Sequence, residues 1–213
     1  MRVRNVKNKK EIISNSKYIV SNPVDYKGKW QELFNNSNPI YLEIGMGKGN
    51  FIIENAKMYP NINFIGIEKN ASVITYAIKK IEGLELNNLK LICFEANKID
   101  DIFNRDISKL YLNFSDPWPK ERHAKRRLTS KIFLDKYDSI FKDDKLIEIK
   151  TDNKDLFSYS LISLSNNGYI IQDISLDLTN RSDIINIRTE YEEKFILKNN
   201  PIYFVRVLKR VNF

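Results

Sequence analysis

The chain has 213 residues, of which 42% are hydrophobic and 29% are charged, and its formal net charge at pH 7 is +8. This length favours a single domain with a sizeable core, and the positive charge favours a polyanionic partner such as nucleic acid. One cysteine excludes a disulfide framework, and together with the single histidine it argues against a zinc site. No apolar run is long enough to span a bilayer and the N-terminus lacks the apolar segment of a signal peptide, so a cytoplasmic protein is expected.

Residues 1–38 are polar, rich in asparagine and basic at the start, which predicts an arm with short irregular elements. The first ten residues contain five cations that suit contact with RNA: Arg2, Arg4, Lys7, Lys9 and Lys10. A disordered tail is the alternative, and such a tail is compatible with folding onto RNA. Residues 39–213 are predicted to form one domain.

From residue 40 onward, short apolar runs alternate with helical patterns. Strands are predicted at Ile40–Gly45, Asn63–Glu68, Leu89–Phe94, Leu110–Phe114 and Leu146–Lys150. Helices are predicted between and after them, at Asn50–Met58, Ala71–Glu82, Asn97–Phe103, Thr129–Phe141 and Lys154–Ser165. Two longer strands follow with no strong helix between them, Tyr169–Leu178 and Ile202–Val211. This order predicts a doubly wound, Rossmann-like α/β fold whose sheet is mostly parallel and ends in an antiparallel C-terminal edge pair.

A glycine-rich turn follows the first predicted strand. Gly45, Gly47 and Gly49 lie between that strand and a helix start, where a tight βα turn is the structural alternative to a ligand site. The pattern is not a P-loop, and Glu43 just before it would repel a pyrophosphate. A carboxylate there suits the ammonium or sulfonium of S-adenosylmethionine. Glu68 ends the second strand, where doubly wound folds place an acid that binds ribose hydroxyls, so the pattern favours S-adenosylmethionine over a dinucleotide.

The segment Asn113–Arg127 brings a buried strand, an acid, an aromatic ring and a block of positive charge together. Asp116 ends the strand, and Trp118 lies between two prolines. This combination predicts a site for a planar, polyanionic substrate, the alternative being a strand end followed by a solvated basic turn. Trp118 either stacks on a base or covers the core. The cations that would neutralise phosphates are Lys120, Arg122, Lys125, Arg126 and Arg127, with His123 as a polar neighbour.

Cys93, in the third apolar run, is expected to be buried.

Several segments together resemble the bacterial tRNA (guanine-N7)-methyltransferase family, a family of class I methyltransferases. They are Glu43-Ile-Gly45-Met-Gly47-Lys-Gly49, Ile67-Glu68, Phe114-Ser-Asp116-Pro-Trp-Pro-Lys120, Arg122-His-Ala-Lys-Arg-Arg127, Lys150-Thr-Asp152-Asn153 and Thr189-Glu-Tyr-Glu192. The resemblance implies S-adenosylmethionine as cofactor, in a pocket lined by Glu43, Gly45, Gly47, Glu68, Glu95 and Asp116. The family usually has Asp or Asn where this chain has Glu95, so Asn97 is an alternative contact to the adenine.

The same resemblance implies a guanosine of the tRNA variable loop as the substrate. It implies substrate binding by Lys120, Asp152, Thr189, Tyr191 and Glu192, and RNA contact by Arg122, His123, Lys125, Arg126 and Arg127. From its position alone, Asp152 could instead cap the helix after Asn153. Guanine N7 carries no proton, so the reaction needs alignment more than a strong base. Asp116, the expected catalytic residue, would hydrogen-bond the guanine edge and stabilise the positive charge that the ring acquires.

Three other classes of protein compete with this interpretation. A catalytically silent RNA-binding protein would not bind the cofactor, and a nicotinamide oxidoreductase would need a third glycine at dinucleotide spacing. A methyltransferase acting on an exocyclic amine would usually end its loop in an aromatic residue after two prolines. Members of the resembled family work as monomers or as dimers, so both a monomer and a homodimer stay open.

Overall fold

A computed structural model describes residues 6–198 and 200–211. In this part of the chain, one mixed sheet contains seven strands in the order β3-β2-β1-β4-β5-β7-β6. The strands are β1 Ile40–Ile44, β2 Asn63–Ile67, β3 Leu89–Ile92, β4 Ile107–Asn113, β5 Phe141–Thr151, β6 Ile170–Ser175 and β7 Tyr203–Lys209. β1 to β5 run parallel, and β7 lies antiparallel between β5 and β6. The predicted α/β fold with an antiparallel C-terminal pair is confirmed.

The α-helices are α1 Lys9–Ser14, α2 Trp30–Phe34, α3 Asn50–Met58, α4 Ala71–Ile81, α5 Ile99–Ile102, α6 Lys131–Ile140, α7 Lys154–Asn166 and α8 Glu190–Ile196. Short 3-10 turns lie at Pro23–Tyr26, Ala96–Lys98, Glu121–Arg126 and Leu178–Asn180. Successive strand residues enter different apolar clusters: Leu110 and Leu112 pack in one and Tyr111 in the other. Because neighbouring side chains of a strand point to opposite faces, the sheet has a core on each face.

Part of the N-terminal region shares this core. Trp30 is fully buried, and its indole N–H donates to the Ile102 carbonyl at 2.8 Å. The backbone N–H of Val20 donates to the Leu91 carbonyl, and that of Leu91 donates to the Tyr18 carbonyl, so this segment covers the β3 edge of the sheet. The division at residue 38 stays a prediction, and of the proposed basic arm Arg2 and Arg4 lie outside the described residues.

Three local differences from the sequence expectations have physical causes. The helix α8 was not expected between the last two strands, but Thr189 and Glu192 form a capping box that starts it. β5 begins at Phe141, directly after α6, and is longer than the predicted strand. Cys93 is only half-buried because β3 ends one residue before it.

Candidate active site

A cleft of about 980 Å³ opens at the carboxyl edge of the parallel strands. Residues that follow β1, β2, β3 and β4 line it, among them Gly45, Glu68, Glu95 and Asp116. A neighbouring cavity of about 250 Å³ lies between the glycine turn and α8, and its lining includes Glu43. The sheet order reverses direction between β1 and β4, and open α/β sheets bind ligands at such a switch point. The structure therefore brings the predicted cofactor and substrate regions to one edge.

The three glycines of the turn have two different roles. Gly45, Gly47 and Gly49 all have positive φ, at 77°, 58° and 80°, which other residues adopt only with strain. A Cβ at Gly45 or Gly47 would meet no atom within 4 Å, so their backbone faces open space. A Cβ at Gly49 would lie 2.8 Å from the Cβ of Ala77, so this glycine lets α3 approach α4. The first two glycines can thus face a ligand, whereas the third serves packing.

Glu43 is a buried carboxylate, and one of its two oxygens has no hydrogen-bond partner. Its Oε1 accepts a hydrogen bond from Asn113 Nδ2 at 2.8 Å, while Oε2 has no hydrogen-bond partner. Burial raises the pKa of Glu43 to about 7, against the lowering effects of the Asn113 hydrogen bond and the Lys150 charge. A buried acceptor without a donor is costly. The ammonium of an amino-acid-like ligand would supply the missing donor, so the residue fits the predicted cofactor.

Glu68 is held in place at the rim of the cleft by two backbone groups. Its Oε1 accepts from the N–H of Asn70 at 2.8 Å, and its Oε2 accepts from the N–H of Gly47 at 3.2 Å. Burial raises its pKa, and the two backbone hydrogen bonds oppose that rise. Each carboxylate oxygen keeps a second lone pair that can accept from a hydroxyl. Glu95 precedes the turn Ala96–Lys98 and Asn97 lies within it. Both are exposed and line the same cleft, so their positions do not decide which of them contacts the adenine.

The loop that follows β4 has a strained backbone and is held in place by hydrogen bonds. Phe114 and Trp118 have φ of 50° and 43°, a left-handed conformation that is uncommon for non-glycine residues. Arg127 donates from Nε to the Pro117 carbonyl at 3.0 Å and from Nη2 to the Trp118 carbonyl at 3.1 Å. Asp116 lies between the two strained residues, with its side chain 69% exposed and 3.9 Å from Lys69 Nζ. The loop is therefore fixed by Arg127 while its carboxylate stays accessible.

The basic residues divide into an exposed group and one anchored member. Lys120, Arg122, Lys125 and Arg126 are exposed on and beside the turn Glu121–Arg126. Arg127 is half-buried, and its guanidinium also lies 4.3 Å from the Tyr159 ring centroid. The structure thus has four of the five cations predicted to neutralise phosphates at the surface, while the fifth, Arg127, points into the loop.

Trp118 is half-buried between two of its basic neighbours. The Arg126 guanidinium lies 4.9 Å from the Trp118 ring centroid, and the His123 ring meets it edge-on at 5.8 Å. A base that stacked on this ring would have to displace or share the arginine. The stacking role of Trp118 stays a prediction.

The predicted substrate residues of the C-terminal half lie in two places. Asp152 is half-buried, and it is Asn153 that caps α7, with its Oδ1 accepting from the Leu156 N–H at 2.8 Å. Capping therefore does not explain Asp152. Tyr191 packs on Phe114, with ring centroids 5.1 Å apart, at the edge of the smaller cavity.

Thr189 and Glu192 hold the start of α8. Thr189 Oγ1 accepts from the Glu192 N–H at 2.9 Å, and the Glu192 side chain is fully buried. Glu192 accepts from Asn186 Nδ2 at 2.6 Å and lies 3.4 Å from Lys150 Nζ. Glu192 thus has a full set of protein partners. No role is predicted for Asn113 or Lys150, although Lys150 belongs to one of the motifs.

No described helix has the length and apolarity required to cross a bilayer. Within residues 6–198 and 200–211, no cluster of three or more His, Cys, Asp and Glu side chains is arranged to hold a metal ion.

Solved structures with the same fold are methyltransferases. "Crystal Structure of 16S rRNA Methyltranferase KamB" superimposes with a TM-score of 0.66 over 86% of this chain and 94% of that one, at 10% identity. "Structure of an antibiotic related Methyltransferase" gives a TM-score of 0.65 over the same shares, at 18% identity. A family model described as "Putative methyltransferase" matches residues 37–205. The fold and the family model define the chain as a methyltransferase of class I architecture.

Curated relatives narrow this class to one family. A protein of Lachnoclostridium phytofermentans is 49% identical over 95% of this chain and 96% of its own length. Proteins of Streptococcus gordonii and Bacillus subtilis are 47% and 48% identical, covering 98% and 92% of this chain and 99% and 92% of their own lengths. All three are named tRNA (guanine-N(7)-)-methyltransferase. The chain belongs to this tRNA (guanine-N7)-methyltransferase family, as the motifs predicted.

Proposed function

We propose that this enzyme transfers a methyl group from S-adenosylmethionine to N7 of a guanosine in the variable loop of tRNA. The observation that carries the proposal is the buried, unpartnered Oε2 of Glu43 beside the open backbone of Gly45 and Gly47. The names of the relatives supply the base and its atom. A tRNA substrate and a single cysteine also suit the reducing cytoplasm, which stays a prediction.

The cofactor would be held by groups with complementary charge and hydrogen bonding. S-adenosylmethionine, when bound, supplies a methyl group on a positively charged sulfur. Glu43 would accept from the ammonium of its methionine part, and Glu68 would accept from its ribose hydroxyls. Gly45 and Gly47 would let the ligand lie against bare backbone, and Glu95 or Asn97 would contact the adenine.

Asp116 would hold the guanine. Its exposed carboxylate can accept hydrogen bonds from the N1–H and the amino group of the base, which would orient the ring toward the cofactor side of the cleft. N7 then acts with its own lone pair, and no proton has to be removed beforehand. The Asp116 charge would also stabilise the positive ring that forms. Tyr191, which lines the smaller cavity, would bound the base on the side of α8, together with Asp152, whose charge acts on Tyr191.

The tRNA backbone would lie over the exposed cations that follow this loop. Lys125 and Arg126 line the cleft itself, and Lys120 and Arg122 extend the positive surface beyond it. Such contacts position an RNA without reading its sequence.

The test is methyl transfer from labelled S-adenosylmethionine to unmodified bulk tRNA, followed by nucleoside analysis. The expected product is 7-methylguanosine. Asp116→Ala should lower turnover by roughly 100-fold, as removal of a group that stabilises a charged transition state does. Because Asp116 is exposed and 3.9 Å from its nearest cation, the same substitution should leave the free energy of unfolding within about 0.5 kcal/mol of the wild type.

Glu121→Ala is the matched control, because it removes another exposed acid of the same segment. Label in a different nucleoside would overturn the proposed base and atom. A protein that binds the cofactor but labels no tRNA would contradict the substrate, and one that binds no cofactor would favour a silent RNA-binding protein.

A further inference from the structure

We infer that Lys150 is a positioning residue that couples the cofactor side of the cleft to the α8 side. The inference rests on the proposed function, in which Glu43 binds the cofactor and α8 borders the guanine. Three observations carry it: the burial of Lys150, its hydrogen bonds to the segment before α8, and its place beside Asn113.

Lys150 is a charged group where an ordinary strand would carry an apolar one. Lys150 lies near the carboxyl end of β5, an interior strand of the sheet, and only 5% of the residue is exposed. Burial lowers the pKa of its ammonium, while the negative charges of Glu192, Glu148 and Glu43 raise it. A buried ammonium is expensive unless it is paired, so these partners are what keep it in place.

All the hydrogen bonds of the ammonium go to one segment. Lys150 Nζ donates to Asn186 Oδ1 at 2.5 Å and to the Ile187 carbonyl at 2.9 Å, and its distance to Glu192 Oε2 is 3.4 Å. Asn186 in turn donates to the other oxygen of Glu192. Within the same stretch, Ile187 also packs against the apolar cluster that contains Tyr111. Lys150 thus links residues 186–192 to the sheet by hydrogen bonds.

Lys150 is connected to Glu43 through Asn113. Asn113 on β4 is its register partner in the sheet and donates to Glu43 on β1. The Lys150 charge lowers the pKa of Glu43, whereas the charges of Glu190 and Glu68 raise it. Phe51, at the start of the helix after the glycine turn, has its ring centroid 5.0 Å from Lys150 Nζ. One side chain therefore favours the ionised form of Glu43 and holds the segment before α8.

Two consequences separate this role from a merely structural one. Removal of the charge should raise the pH at which cofactor affinity is half lost, because Glu43 then ionises less readily. Removal of the hydrogen bonds should loosen α8 and raise KM for tRNA at a pH where Glu43 is already ionised.

Lys150→Met and Lys150→Arg test both consequences, with Lys145→Met as the control. Lys145 is a buried lysine of the same strand, paired with Asp138 far from the cleft. For Lys150→Met, we expect roughly fivefold weaker cofactor binding at pH 7, with recovery at pH 9. Lys150→Arg should keep the wild-type midpoint, and so should Lys145→Met, whatever either loses in thermal stability.

Asn186→Ala keeps the inference testable if Lys150→Met does not fold. This variant leaves the buried charge in place and removes one of its hydrogen bonds to the segment. It should raise KM for tRNA roughly fivefold and leave cofactor affinity unchanged.

An unchanged pH midpoint in Lys150→Met, or an equal shift in Lys145→Met, would overturn the coupling, and so would an unchanged KM in Asn186→Ala. A wild-type protein that labels no tRNA would refute the proposed function instead. Its cofactor-binding midpoints would still decide whether Lys150 controls Glu43.

Discussion

At the scale of a single residue, Glu43 links the stability of the fold to its chemistry. Its pKa is raised by burial from an ordinary 4.5 to about 7, so the folded protein keeps a proton that the unfolded chain releases. At pH 4.5 the protonated carboxyl contributes about 2–3 kcal/mol to the free energy of unfolding. This contribution is lost as the pH rises to about 7. We predict that Glu43→Gln removes this loss, so the variant gains that much over the wild type between pH 5 and pH 8.5. Urea unfolding at the two pH values measures it.

Although Glu43→Gln should stabilise the fold, it should weaken binding of the cofactor. Wild-type affinity for S-adenosylmethionine should fall about tenfold per pH unit below pH 7, because the carboxylate that attracts the ammonium becomes neutral. Glu43→Gln should bind roughly 10- to 100-fold more weakly at pH 8, with no such pH dependence. Calorimetric titration distinguishes the two proteins, and a variant that retained the wild-type profile would exclude Glu43 from the ammonium site.

Residues of the site differ in how far their sequence context reveals them. Glu43 and Glu68 could be predicted because each lies next to a local signal, a glycine turn or a strand end. Asn113 and Lys150 could not, because their partners Glu43 and Glu192 are 70 and 42 residues away in the chain. A polar residue within an apolar strand indicates that some partner exists, and only the folded structure shows which one.

At the scale of an element, the loop from Phe114 to Trp118 depends on Arg127. Two left-handed residues cost on the order of 1–3 kcal/mol each, and this strain persists only where surrounding contacts fix it. Arg127 supplies two parallel hydrogen bonds that a lysine cannot reproduce. We predict that Arg127→Lys lowers kcat roughly tenfold without changing the salt dependence of tRNA binding.

Kinetics at several salt concentrations test this prediction, with Arg122→Gln as the control. Arg122 is exposed, so its loss should leave kcat unchanged and reduce the slope of log affinity against log salt by about 0.7–0.9. Arg127→Gln, a third variant, removes the charge as well. A reduced slope with unchanged kcat in Arg127→Gln would instead make Arg127 a phosphate contact.

Elements were predictable where apolar periodicity formed them. The strands β1, β2 and β3 and the helices α3, α4 and α7 follow their apolar patterns closely, whereas β4 and β5 begin before the predicted strands. The helix α8 does not, because seven residues give too short a pattern and its capping box also resembled a binding motif. The N-terminal stretch is polar on average, yet Trp30 is fully buried, because a polar average conceals a few anchoring side chains.

At the scale of the whole molecule, the net charge of +8 predicts strongly salt-dependent binding of tRNA. Four exposed cations lie together beside the cleft: Lys120, Arg122, Lys125 and Arg126. Replacing Arg122 and Lys125 together by Gln should reduce the salt slope by about 1.5, with cofactor affinity unchanged. Filter binding of tRNA between 50 and 200 mM salt, roughly the range where such contacts weaken most, measures the slope. An unchanged slope would place the RNA on another surface.

The two edges of the sheet are protected unequally. The β3 edge is covered by residues 18–20, whereas β6 forms the other edge of the described sheet and exposes Ile170, Ile171 and Ile174. An uncovered apolar strand is a template for pairing with another chain, and repulsion between molecules of like charge opposes that pairing. High salt, which strips RNA from a basic protein during purification, also screens this repulsion. The conditions that yield RNA-free enzyme are therefore the ones in which its colloidal stability is lowest.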